Sequence, residues 1–254
     1  MTSVPSAGIG REIRAISLVG FGHFLSHFYM FGLVPLFVAI SADLNVTNLQ
    51  LGAILTAYNV ATGVLCGPNQ LSEYHEMMLE SCKLLNLGFT PQLYVRQSSA
   101  PNAYTLAVQG RAPFVVVTTR LLDVLEPLEV QAVIAHELGH LKCEHGLLIA
   151  LANVLAALAP EALQGVAQSS LLRWQRAAEL SCDRAALVAV QDVRAVQGVM
   201  MKLSGGSVTT AGRMNVDAFV AQAAAYERLA GGSVLGRQVR RSQEEFATHP
   251  LPIV

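Results

Sequence analysis

Hydrophobic positions fall into two regimes along this 254-residue chain. From Ala15 to Ile40 they are nearly continuous, with no Asp, Glu, Lys or Arg. About 20 apolar residues cross a bilayer core as a helix, so this run is long enough to span with some tilt. It is also longer than the roughly 7–15 residues of a signal-peptide core. A polar link, Ser41–Asn48, carries one acid, Asp43, and leads to a second apolar run, Leu49–Leu65, which sits near the lower limit of about 17 residues for a crossing. Together the two runs predict a membrane helical hairpin. Arg11 and Arg14 precede it and hold the N-terminus on the cytoplasmic side, so a complete hairpin returns the rest of the chain to the cytoplasmic or stromal side. At "CGPNQLSEYHE" the composition changes to that of a soluble protein. A boundary at Gly67–Pro68 follows, with residues 1–66 as a membrane segment and 67–254 as a globular unit.

Beyond the boundary the pattern becomes periodic. Asn69–Asn86 has Leu71, Met77, Met78, Leu84 and Leu85 at helical spacing. Gln92–Ser98, Ala103–Val108 and Phe114–Thr119 are short, rich in β-forming residues and separated by turn signals, which predicts three strands. Pro127–His145 is predicted helical, with Glu126 and Glu129 at its start, where the helix dipole favours acids. Gly146–Ala167 is strongly apolar and broken near Pro160; its first part, Gly146–Ala159, is short enough to pack in a core or an interface. Helices are predicted over Leu171–Val190, Val193–Leu203, Asn215–Leu229 and Ser233–Phe246, with Gly-Gly pairs at 205–206 and 231–232 between them. The fold class is α+β, mostly helical, with a small three-stranded sheet behind an N-terminal membrane hairpin.

Composition narrows the functions. The chain is 52% hydrophobic and 14% charged, where a soluble domain carries about 25% charged residues. Mean hydropathy is +0.43. The net charge of -1 provides no basic field for nucleic acid. Cys66, Cys82, Cys143 and Cys182 form no C-x-x-C pair, which argues against a zinc ribbon or disulfide scaffold and suits a reducing compartment.

The candidate chemistry lies in "VIAHELGHLKCEHG". His136, Glu137 and His140 make H-E-x-x-H on a predicted helix, so both imidazoles project from one face and can grip one ion. Glu137, one step round, can reach water at the metal as a general base without ligating the metal. A third ligand is required. His145 fails as that ligand if the helix continues, because it lies about 140° round from His140 at 100° per residue. "RAAELSCDRAA" supplies an alternative: Glu179 completes a His, His, Glu set with an open fourth position, and Asp183, at i+4, can accept the N–H of a ligating imidazole. The competing reading, a helix with polar residues on its wet face, leaves the apolar flanks of the motif unexplained. One zinc per chain is expected. Cys143 and Cys182 lack ligand spacing and read as buried small hydrophobes.

These residues carry a resemblance. "LYVRQSSAPNAYTLAVQG", "FVVVTTRLLDVLEPLEVQAVIAHELGHLKCEHG", "LLRWQRAAELSCDRAAL" and "ATHPLP" resemble peptidase family M forty-eight, the HtpX-like and CAAX-prenyl-protease-like zinc metallopeptidases, and cyanobacterial and plastid members most closely. The resemblance implies a zincin-like fold and an integral-membrane metalloendopeptidase acting on protein or peptide substrates, in quality control or processing. It implies that Asn102, Ala103 and Tyr104 form the strand edge that pairs with extended substrate. It also implies that His249 covers the site or steadies an oxyanion, the alternative being a tail residue. Residues 15–65, which include "GFGHFLSHFYMFGLVPLFVAISADLNVTNLQLGAILTAYNVATGVL" from Gly20 onward, resemble the first two helices of a major facilitator transporter. That pattern stops after two helices, too few for a transport path, which leaves His23 and His27 as relics and the lipid bilayer as this segment's partner. The rival readings are an inert membrane anchor or adaptor, and an artefactual fusion of transporter fragment and peptidase.

Overall fold

A computed structural model describes residues 62–107, 112–146, 148, 149, 152 and 160–232. Both transporter-like helices, His23, His27 and His249 lie outside the described residues, save for the tail of the second apolar run.

All three predicted strands form, each ending slightly early: β2 (Gln92–Arg96), β3 (Ala103–Leu106) and β4 (Phe114–Thr118). A fourth, β1 (Gly63–Leu65), comes from the end of the second apolar run. The sheet order is β1-β2-β4-β3, with β2 and β4 parallel and both outer pairs antiparallel. Cys66, placed with the membrane segment by a boundary at Gly67–Pro68, is a core residue beside the sheet, and its N–H donates to the Leu93 carbonyl at 2.8 Å. Among the described residues no helix is long and apolar enough to cross a membrane.

β4 is buried along its whole length because both faces are covered. Val115 and Val117 join Met78, Leu93, Val95, Leu121, Ile134 and Leu138 in the main core, while Phe114 and Val116 meet Tyr94 on the opposite face. This is the period-2 alternation of a strand. Helix α1 (Ser72–Leu84) and the short α2 (Thr119–Val124) flank the sheet. Next comes α3 (Pro127–Lys142), with proline in its first turn and a reciprocal capping box between Glu126 and Glu129. Its apolar stripe, Val130, Val133, Ile134 and Leu138, is core, and it packs against β3 and β4. The predicted helix ran to His145. The observed one stops at Lys142, because Glu144 takes a left-handed conformation, φ 52°.

Helix α4 is longer than expected, spanning Glu161–Val190 directly after Pro160 and ending at left-handed Gln191. α5 (Val193–Gly205) is capped by Asp192, whose side chain accepts from Arg194 N and Ala195 N. α6 (Val216–Gly232) follows a short 3-10 turn. A buried ion pair ties α5 to the start of α3: Lys202 Nζ lies 2.7 Å from Glu129 Oε2, which also accepts the Glu126 N–H. Gly198 makes room for it, since a Cβ there would collide with Glu129 Oε1.

Candidate metal centre

The site lies where α3 crosses α4. Gly139 sits at the crossing, and a Cβ on it would stand 3.1 Å from each of Cys182 Cα, Cys182 Sγ and Ala185 Cβ. The glycine inside H-E-x-x-H therefore does more than leave its face uncrowded: it lets the two helices close until α4 delivers carboxylates to the histidines.

Glu179 Oε2 lies 3.2 Å from His136 Nε2 and 3.6 Å from His140 Nε2. Two donors each about 2.0–2.2 Å from a tetrahedral zinc stand about 3.4 Å apart, so these separations suit one ion shared among the three. His140 and Glu179 are buried, and His136 is partly exposed, which leaves the site open on its side. On the far side of its ring, His136 Nδ1 is 2.9 Å from Asp183 Oδ1. That contact fixes Nδ1 as the protonated nitrogen and turns Nε2 toward Glu179. Burial opposes a charge on His136, but its hydrogen bonds to Asp183 and Glu179 outweigh burial and raise its pKa well above the ordinary histidine value. A cation is what this pocket favours, whether a proton or a metal. Glu137 is buried, and among the described residues its Oε2 has no hydrogen-bond partner. A buried carboxylate oxygen left so beside two imidazoles fits a group whose partner arrives with the metal or substrate.

Two residues depart from expectation. Cys182 is buried, as expected, but its Sγ belongs to a group with His136 and His140 whose ligand atoms all lie within 4.8 Å of one another. Burial, reinforced by Glu179 and Glu137, pushes its thiol far up. Cys143, expected to be buried, is exposed, because it caps α3 where the chain turns outward. A residue set aside in the sequence also joins the cluster. His145 is buried with Nδ1 3.3 Å from His140 Nδ1 and 3.5 Å from Cys182 Sγ. The 140° argument assumed a helix that the left-handed Glu144 interrupts.

The candidate substrate strand is on the sheet edge. β3 begins at Ala103 and packs beside α3. Thr118 fixes the approach to it: its Oγ1 accepts the Asn102 N–H at 2.9 Å and donates to the Ala100 carbonyl, and its own N–H donates to the Asn102 carbonyl. Asn102, Ala103 and Tyr104 are half-buried.

Two helical histidines, a glutamate from a second helix and an aspartate behind one imidazole are thus brought together, a donor set of the kind that zinc accepts. The chain belongs to Peptidase family M48, which matches residues 68–253. It is 48% identical over 207 residues to the plastoglobule-localized metallopeptidase 48, chloroplastic, of Arabidopsis thaliana, covering 79% of this chain and 60% of that one. It is 32% identical over 91 residues to protease HtpX homolog 2 of Methanosarcina mazei, covering 36% of this chain and 31% of that protein. The chain thus spans less than two thirds of the length of either relative. A crystal structure of S. mikatae Ste24p aligns with a TM-score of 0.46 and 15% identity, over 96% of this chain and 64% of that one.

Proposed function

We propose that this chain is a zinc-dependent metalloendopeptidase in which His136, His140 and Glu179 hold the metal and Glu137 is the general base. The observation that carries the reading is Glu179 Oε2 within 3.6 Å of both imidazole Nε2 atoms; the buried Glu137 Oε2, without a hydrogen-bond partner among the described residues, accompanies it. When bound, zinc supplies Lewis acidity that polarises a peptide carbonyl and acidifies water. Glu137 takes a proton from that water as its oxygen bonds to the carbonyl carbon, then hands the proton to the leaving amine as the C–N bond breaks. Asp183 holds His136 in the tautomer that ligates. The edge strand at Asn102–Tyr104 pairs with an extended substrate backbone, which aligns the scissile bond by main-chain hydrogen bonds.

The name of the Arabidopsis relative supports a plastid or other membrane-bounded setting, with protein substrates. In this reading the apolar runs that begin at Ala15 and Leu49 form a membrane hairpin ahead of β1, so the peptidase unit faces the cytoplasm or stroma. The test uses the full chain: zinc per chain by atomic absorption, and casein digestion with and without a chelator. Glu137→Gln should keep one zinc and lose turnover. A variant that lost its zinc would show Glu137 to be a ligand, and one that still digested casein would remove it as the base.

A further inference from the structure

A ligating histidine needs something to hold its other nitrogen, and the two histidines here are treated differently. His136 has Asp183. His140 directs Nε2 toward Glu179, so in its neutral, ligating form the proton is on Nδ1. The group facing that Nδ1 is the Nδ1 of His145 at 3.3 Å. We propose, on the zinc reading above, that His145 is the positioning residue for His140, accepting its Nδ1–H and so fixing its tautomer and ring angle.

Three features hold His145 in place. In an uninterrupted helix the fifth residue after His140 points elsewhere, about 140° round. α3 instead ends at Lys142, and Glu144 with φ 52° returns the chain so that residue 145 lies beneath residue 140. The imidazole then stands edge-on to two rings: His140, with centroids 5.3 Å apart, and Trp174 of α4, at 5.8 Å. Cys182 Sγ approaches the same Nδ1 from 3.5 Å, the longer of its two contacts. Both rings that face His145, and the sulfur, are carried by the same two helices that form the metal site.

The choice of a neutral acceptor has an electrostatic reason. Glu137, Glu179 and Asp183 already put three carboxylates around a site meant for one divalent cation. A fourth carboxylate behind His140, in a pocket this buried, would leave negative charge uncompensated. An imidazole with its proton on Nε2 offers the same lone pair without the charge.

The experiment measures zinc affinity of the full chain by competition with a chromogenic chelator, for wild type, His145→Leu and His145→Gln, alongside urea unfolding of the metal-free proteins. His145→Leu should weaken zinc by about 10–100-fold, the usual loss when such a partner is removed. His145→Gln, whose carbonyl oxygen can accept the same N–H, should recover most of that loss. Both variants should share one metal-free urea midpoint, which a merely structural role would not produce. Zinc affinity unchanged in His145→Leu, or equal loss in Leu and Gln, overturns the proposal. If His145→Leu does not fold, nitrogen-15 spectra of the zinc-loaded wild type decide: His140 protonated on Nδ1 with His145 protonated on Nε2 supports it, and a proton on His145 Nδ1 overturns it. A wild type that binds no zinc defeats the zinc reading itself, whereas a zinc-binding wild type indifferent to residue 145 defeats only this inference.

Discussion

Gly139→Ala is the smallest change that probes how the site is assembled. A methyl there would stand 3.1 Å from Cys182 Cα, Cys182 Sγ and Ala185 Cβ, inside ordinary contact distance. The sulfur can swing aside, but the Cα is backbone, so α3 and α4 must part by a few tenths of an ångström. Overpacking of this kind costs about 1–3 kcal/mol, and replacing a helical glycine by alanine returns about 1 kcal/mol, so the net loss of stability is roughly 0–2 kcal/mol. The metal feels it more. Glu179 lies one turn before Cys182 on the displaced helix, and zinc ligand distances tolerate only about 0.2 Å. Zinc affinity should therefore fall about tenfold or more while the urea midpoint of the metal-free protein moves little. Adding Ala185→Gly, which deletes one of the three contacts, should restore part of the affinity. If Gly139→Ala binds zinc as tightly as wild type, close approach at residue 139 does not set the ligand geometry.

Asp183→Asn should weaken zinc binding or activity by about 10–100-fold through loss of the charged acceptor behind His136, and unchanged values would mean that the 2.9 Å contact does no orienting. Cys182→Ala should keep one zinc per chain, and the cobalt-substituted wild type should show no thiolate charge-transfer band; a missing metal or a strong band would make Cys182 the third ligand in place of Glu179. Lys202→Met should destabilise the fold by about 3–5 kcal/mol in urea unfolding, since both side chains of the Glu129 pair are at most 10% exposed and the carboxylate would be left buried without its cation. The double variant Glu129→Met/Lys202→Met should recover much of that loss, and an additive result would show the pair to be uncoupled.

What the sequence by itself determined was whatever depends on local period. His136 and His140 share a helical face, and so do Glu179 and Asp183, because four residues make slightly more than one turn wherever a helix forms. β2, β3 and β4 were legible from β-rich runs between turn signals, and the start of α3 from Glu126, Pro127 and Glu129. Tertiary structure decided the rest. Gly63–Leu65 reads as the end of an apolar helix, since three apolar residues carry no period of their own, and only pairing with β2 makes them a strand. The position of β4 between β2 and β3 is a matter of long-range hydrogen bonding that no local pattern encodes. His145 was set aside on the geometry of a continuous helix. Glu144, a residue with no special preference for positive φ, breaks that helix and brings the imidazole back to His140. The joining of the two motifs into one site rests on the helix crossing at Gly139, where the absence of a side chain matters only because Cys182 and Ala185 are there to meet it.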